Sequence, residues 1–344
     1  MRVAIIGLPG SGKSTVFRAL GGRPASGGVE EALACVPVPD ARVDRLAAIY
    51  HPRKTTRATV EFVDLAHAAG LRAGAGELGQ SFLNSVRQAS ALVHVIDAFS
   101  LPGDAGEVSG AVEALDAELA LSDLDQCEKR LERIKKEGQR AGAVLHESRL
   151  LTQAAGFLGR GTPLRTVPEL ATSEELRSFA FLTAKPMITL LNTAEDAVQS
   201  GLSLDSRSGP QDRVLALAAA LEAEIAELSQ EEARAFLADY GIDEPAGQLV
   251  IRSCYELLGL MSFFTVGEDE VKAWTIPEGA SARQGAAAIH SDIARGFIRA
   301  EVIDCDTVLA LGSFEEAKQH GKLRLEGRDY VLQDGDVVSF RFNV

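Results

Sequence analysis

The chain has 344 residues, enough for two or three domains, and its 46% hydrophobic and 24% charged content is that of a globular protein able to build a core. The formal net charge of −14 argues against holding DNA or RNA through bulk charge and leaves only room for a local basic patch. No apolar run approaches the roughly 18 residues needed to span a bilayer, so no membrane partner is expected. The four cysteines (Cys35, Cys127, Cys254, Cys305) are far apart and show no metal spacing, and no signal peptide opens the chain. Buried thiols in a reducing cytoplasm are the expectation.

In chain order, residues 2–6 (RVAII) read as a buried strand, followed by Gly7–Thr15 (GLPGSGKST) and a helix pattern on Val16, Phe17, Ala19 and Leu20. A Gly/Pro-rich loop at 21–28 leads to a second strand at 33–38 and a short helix at 42–50 with Val43, Leu46 and Ile49 on one face. Residues 51–57 (HPRKTTR) read as a cationic loop, 59–64 (TVEFVD) as a strand ending on an acid, and 66–76 as an Ala/Gly-rich loop. A helix starts at Phe82, Leu83 and Val86, and further strands are expected at 91–96, 186–191 and 213–217. Strands alternating with helices predict an α/β fold with a mainly parallel sheet.

A different texture lies between these strands. Val112, Leu115, Leu119, Leu124, Cys127, Leu131 and Ile134 recur at three-to-five-residue steps, and a second helical stretch (Val144 to Phe157) follows a break near Gly138–Gly142. An antiparallel helical hairpin inserted at 106–164 is expected. From about Ser262 to Val344, FFTV, VKAWTI, GFIRAEVI, DYVL and VVSFRFNV have β character, with helices near 282–293 and 313–320, which predicts a small α+β domain. The P-loop domain is then expected at 1–105 and 165–261.

Gly7-x-x-x-x-Gly12-Lys13-Ser14 is a complete P-loop between a strand and a helix. Such glycines let backbone N–H groups face phosphate oxygens, so Gly7, Pro9, Gly10, Ser11, Gly12, Lys13, Ser14 and Thr15 are expected to cradle a nucleotide. Lys13 would reach the β/γ-phosphates and Ser14 would ligate Mg²⁺. Asp64 ends its strand as a Walker B acid does and is a second candidate for Mg²⁺; the alternative is a capping Asp. Asn192 and Glu195, in N-T-A-E after a late strand, stand where G domains carry Asn-Lys-x-Asp. Asn192 either pairs with a purine edge or starts a turn, and its place after a strand favours the base. His67, just past Asp64, is a candidate to contact γ-phosphate or water, with a functionless loop histidine as the equal alternative. His94, inside an apolar strand, reads as a packed core histidine.

GLPGSGKST, VPVPDARVDRLAAIYHP, VEFVDLA, FLTAKP and YELLGLMSFFTVGEDEVKAWTIPEGASARQGAAAIHSDIARGFIRAEVI together resemble the YchF/Obg-like ATPase family nearly end to end. The resemblance implies a G domain, a coiled-coil insertion and a C-terminal TGS domain of β-grasp shape. It implies ATP in preference to GTP, because the family has N-x-x-E where Asn192–Glu195 stand, and it implies slow ATP hydrolysis and association with the ribosome or ribosomal proteins. The chain departs from the family where the γ-phosphate is sensed. His67 replaces the Gly of Asp-x-Ala-Gly, the segment 23–35 lacks the Thr-Ile-Glu-Pro-Asn run, and 97–110 is short and carries no histidine. Two other readings follow: an interaction module that nucleotide stabilises without useful hydrolysis, and a small-molecule kinase using the cations of 51–57. The TGS-like end argues against the kinase. That end has 9 Lys/Arg against 14 Asp/Glu over 262–344, so RNA contact there needs a local face, for which Arg283, Arg295, Arg299 and Phe297 are candidates, with a core Phe297 and merely solvated arginines as the equal alternative. His290 also matches a family run, I-H-[ST]-D.

Overall fold

The computed structural model describes residues 1–23, 32–65, 79–99, 105–137, 142–195, 212–239 and 244–343. They divide into two compact units, Met1–Val36 with Glu61–Val250, and Pro37–Val60 with Ile251–Val344.

The first unit is built on a six-stranded sheet in the order β2-β4-β1-β5-β6-β7. The strands are β1 (Arg2–Ile6), β2 (Ala32–Pro37), β4 (Thr59–Asp64), β5 (Ala91–Asp97), β6 (Met187–Asn192) and β7 (Asp212–Leu217); β3 (Lys54–Thr56) belongs to the other unit. From β4 through β7 every neighbouring pair is parallel. The chain leaves β1 with later strands on both sides of it, β4 and β5, and such a switch point opens a crevice at the strand's carboxyl end. The strands are apolar runs because both faces are covered. On one face Ala4, Ile6, Leu92 and Ile96 pack with Phe82 and Val86 of α3 (Gln80–Gln88) and with Leu115 and Leu119 of α4 (Ala105–Glu137). His94 points into this sheet at 3% exposure, as expected of a core histidine.

The hairpin is formed by α4 (Ala105–Glu137) and α5 (Gly142–Leu158). At 33 residues α4 is about 50 Å long. Its lower half feeds the sheet core, while Cys127 and Ile134 join Leu151, Ala154, Leu158, Leu164, Leu170 and Phe181 in a separate core. The change of partner along one helix explains why the apolar spacing persists through its whole length. Buried polar groups lock the hairpin's base. Asp123, fully buried, accepts hydrogen bonds from Leu182 N (3.0 Å), Thr183 N (2.8 Å) and Thr183 Oγ1 (2.8 Å). Lys185 donates to the carbonyls of Arg87 and Ala89 at the end of α3, and burial pushes its pKa down to about 8. The FLTAKP run thus supplies the Thr and Lys of this lock.

The second unit carries a mixed sheet in the order β11-β10-β12-β8-β9-β3, with β8 (Leu260–Thr265), β9 (Glu270–Pro277), β10 (Phe297–Asp304), β11 (Arg324–Glu326) and β12 (Asp336–Phe342). β12 and β8 run parallel and the hairpin-type pairs around them antiparallel, with the helix Ala282–Ile289 packed on the sheet, as a β-grasp requires. A capping box between Ser281 and Gln284 starts that helix. DYVL contributes only an isolated bridge, Ser281 to Val331, and β11 forms earlier, at Arg324–Glu326.

Residues 37–60 sit in this C-terminal unit, not with the P-loop domain in which the sequence reading leaves them. Helix α2 (Ala41–Tyr50), capped by Asp40, buries Val43 and Leu46 and packs on β9. Arg42 bridges Asp40 (2.9 Å) and Asp334 (2.6 Å) and lies over the Phe264 ring. The segment read as a cationic loop contains β3, which pairs parallel with β9, and Thr56 Oγ1 donates to Glu270 (2.6 Å). Three residues are too short a strand to show a period, and the partner lies more than 200 residues away. Phe297 packs against the sheet core, so it is not an exposed partner of Arg295 and Arg299, which pair with Asp292 and Glu301. His290 Nδ1 accepts from Asp292 N (3.2 Å) and caps the next helix turn. Among the cysteines, Cys127, Cys254 and Cys305 are buried, whereas Cys35 on edge strand β2 is exposed, contrary to expectation.

Candidate nucleotide site

The loop between β1 and α1 (Lys13–Ala19) is shaped by backbone angles that only glycine adopts readily. Gly7, Gly10 and Gly12 have φ of 152°, 86° and 92°. Space is as restrictive as conformation: a Cβ on Gly7 would stand 2.4 Å from Val95 O, and one on Gly12 would stand 2.2 Å from Asn192 Nδ2. The loop closes on itself through Ser11 N to Leu8 O (3.2 Å), and α1 begins with Val16 N to Gly12 O (2.8 Å). Leu8, Pro9 and Gly10 face solvent, and Ser14 and Thr15 are half-buried in the first helical turn.

Lys13 turns back over the loop and donates to Leu8 O (2.8 Å). Burial lowers its pKa, and the nearby Asp64 charge opposes that shift. Ser14 Oγ donates to Asp64 Oδ2 (2.8 Å), so β4 delivers its terminal acid to the hydroxyl of the P-loop. These two oxygens are the hard donors that Mg²⁺ takes, and a pair of protein ligands suits an ion that keeps waters and phosphate oxygens in its remaining positions. The turned-back lysine, the glycine cradle and the oxygen pair fit a Mg²⁺-bound nucleotide.

Asn192 ends β6 and is almost fully buried. Its Nδ2 donates to Ser11 O (3.1 Å) and its Oδ1 accepts from Ala219 N (3.2 Å). The side chain therefore braces the phosphate loop against the segment after β7. Among the described residues these two bonds use one N–H and one lone pair of the amide. Sequence reasoning missed the brace, because its partners are backbone groups that no side-chain pattern announces. Glu195 is exposed three residues further on. His67 lies outside the described residues. Burial, reinforced by the Arg165 and Lys13 charges, pushes the His94 pKa down to about 3, and its Nδ1 has no hydrogen-bond partner among the described residues. A buried, neutral imidazole fits the core position read for His94 from its apolar strand.

A parallel sheet that hands its first strand to this loop, with an acid from the next strand on the loop's serine, defines a P-loop nucleotide-binding protein of G-domain type. The family model described as 50S ribosome-binding GTPase matches residues 2–139, and YchF-GTPase_C, described as Protein of unknown function (DUF933), matches residues 260–343. The Haemophilus ducreyi protein named Ribosome-binding ATPase YchF is 40% identical over 367 residues, covering all of this chain and 99% of the relative. The protein of that name in Bacillus subtilis is 37% identical, with both chains fully covered. The solved structure of the Schizosaccharomyces pombe YchF GTPase superposes with a TM-score of 0.84 at 28% identity, covering 99% of this chain and 97% of the other. The chain belongs to the YchF family.

Proposed function

We propose that this chain binds ATP with Mg²⁺ and acts as a nucleotide-dependent regulator at the ribosome, hydrolysing ATP slowly. The observation that carries the reading is the pairing of Ser14 and Asp64 at 2.8 Å beside a glycine cradle. The relatives supply the ribosome, since their printed names are those of ribosome-binding ATPases.

Lys13 exchanges Leu8 O for phosphate oxygens as nucleotide enters, and the backbone of residues 7–15 lines the phosphates. Ser14 and Asp64 would hold Mg²⁺, which would supply positive charge to offset that of the phosphates. Asn192 offers its remaining donor and acceptor to the adenine edge, with Glu195 beside it. Residues 106–164 form a helical insertion in this nucleotide-binding domain.

The expected result is ATP binding tighter than GTP binding in the wild type and loss of both in Lys13→Ala. Equal binding by wild type and Lys13→Ala would refute the phosphate assignment. A second reading is favoured by one sequence observation: His67 stands where the family has a glycine, and 97–110 carries no histidine. Under it nucleotide stabilises the fold by mass action without turnover. Mg²⁺-dependent ATP turnover that disappears in Asp64→Ala would exclude that alternative.

A further inference from the structure

We propose that the cleft at the root of the helical hairpin binds a single-stranded stretch of RNA, holding its phosphates with Arg and Lys and stacking a base on Phe179. The proposal deepens the ribosome reading and rests on it for the source of the RNA.

The chain is acidic as a whole, yet Lys129–Lys136 (KRLERIKK) carries five Lys/Arg against one Glu. On α4 the side chains of Gln126, Lys129 and Arg133 recur at helical spacing and so share one face. That face, with Arg87 of α3 and Phe179 opposite, lines an open cleft of about 390 Å³. Among its lining side chains Arg87, Lys129, Arg130 and Arg133 stand against a single carboxylate, Asp125.

The cleft is a built feature. Arg87 donates to Ser122 Oγ (3.0 Å) and Gln126 Oε1 (2.8 Å), with buried Asp123 at 3.7 Å. Gln126 Nε2 in turn holds Phe179 O (3.0 Å). Phe179 is half-buried against the hairpin core and its ring stacks on Phe181 at 5.3 Å and 13°, while the part left exposed lines the cleft, so one aromatic wall is fixed in place before anything binds.

Three of the cations already meet carboxylates. Arg130 is bidentate to Glu147 (2.8 and 2.9 Å), which pins the two arms of the hairpin, and Lys129 meets Asp125 (2.7 Å). The Lys129–Asp125 pair is solvent-exposed and contributes little by itself, so a phosphate oxygen can take its place. Arg133 is exposed and adds a further charge at the rim. Cations tracking a backbone beside a fixed aromatic ring are the means by which proteins grip unpaired nucleic acid without reading a sequence.

The test uses a labelled ten-nucleotide RNA of mixed sequence and, separately, pelleting with purified ribosomes. The variants are Arg133→Glu, Phe179→Ala and, on the C-terminal unit, the exposed Arg328→Glu, which alters net charge by the same amount as Arg133→Glu. ATP binding reports that each variant is folded. With Lys129 and Arg133 each engaging a phosphate, wild-type affinity should fall with salt at a log–log slope of about −1.4. Arg133→Glu should weaken binding about tenfold or more and flatten the slope by about 0.7, while Arg328→Glu stays near wild type. Phe179→Ala should weaken binding about tenfold with the slope unchanged, because stacking releases no counterions.

RNA binding that is equal in Arg133→Glu and Arg328→Glu would overturn the site. Wild type that pellets with ribosomes but ignores the oligonucleotide also overturns it and leaves the ribosome reading intact. If Arg133→Glu then abolishes pelleting, the cleft meets a ribosomal protein instead of RNA. Oligonucleotide binding that requires Arg133 in a chain that never pellets keeps the cleft and removes the ribosome.

Discussion

Asn192 gives the sharpest way to separate bracing from ligand contact. In Asn192→Ala, Ser11 O and Ala219 N lose their partner. Ser11 and Ala219 are 3% and 0% exposed, so Ala219 N–H has no route to water, while Ser11 O lies one residue from the exposed Gly10. An orphaned buried backbone group costs about 1–3 kcal/mol, and with the Ser11 carbonyl at the low end the variant should lose about 2–4 kcal/mol. The loss should be present without nucleotide, as a shift in urea denaturation of the apo protein. Asn192→Asp is the informative companion. It keeps an acceptor for Ala219 N–H but sets a carboxylate oxygen against Ser11 O, so it should destabilise at least as much as alanine despite its near-identical shape. ATP affinity should fall in both. Apo stability unchanged in Asn192→Ala, with only ATP affinity reduced, would refute the brace and leave Asn192 as a base contact alone.

Three other outcomes are expected. Gly12→Ala should abolish nucleotide binding and destabilise the apo protein by more than about 1 kcal/mol, because its φ of 92° and the 2.2 Å approach to Asn192 both penalise a Cβ; calorimetric ATP titration and a melt check this. Folded His94 stays neutral down to about pH 3 while the unfolded chain takes up a proton below about 6.5, so stability should drain as pH falls through that window. His94→Leu removes the effect, and its stability relative to wild type should rise by about 2 kcal/mol between pH 7 and pH 5; a pH-independent difference would contradict the burial argument. A fragment limited to residues 260–343 lacks α2 and β3 and gives up the burial of Val43 and Leu46, worth about 3–6 kcal/mol. It should show weak near-ultraviolet dichroism at Trp274, restored when residues 37–60 are supplied in the chain; full ordering of the short fragment would refute the role of α2.

Much of this was legible because local pattern and tertiary context agree. Strand β4 and helix α2 fall within a residue of where apolar spacing puts them, and GLPGSGKST announces its loop because the glycines are demanded by φ and by the approach of Val95 and Asn192. The hairpin is readable for a similar reason, since two successive cores both ask α4 for apolar residues at helical steps. What the sequence hides is partnership at long range. Nothing in HPRKTTR says that Lys54–Thr56 pairs with Glu270–Lys272, or that Arg42 meets Asp334. The same holds for Asn192, whose motif suggests a base while its geometry reveals backbone partners on both sides. At Phe297 a surface and a core position read equally well from sequence, and the structure packs it, half-buried, against the sheet core.

The central claim is that Ser14 and Asp64 hold Mg²⁺ over a P-loop occupied by ATP. Calorimetric titration of ATP into wild type and Asp64→Ala, each with Mg²⁺ and with EDTA, tests it most directly. Wild type should bind ATP at least tenfold more tightly with Mg²⁺ than without, and Asp64→Ala should bind with an affinity that no longer depends on the metal. The same Mg²⁺ dependence in both proteins, or none in either, would contradict the account.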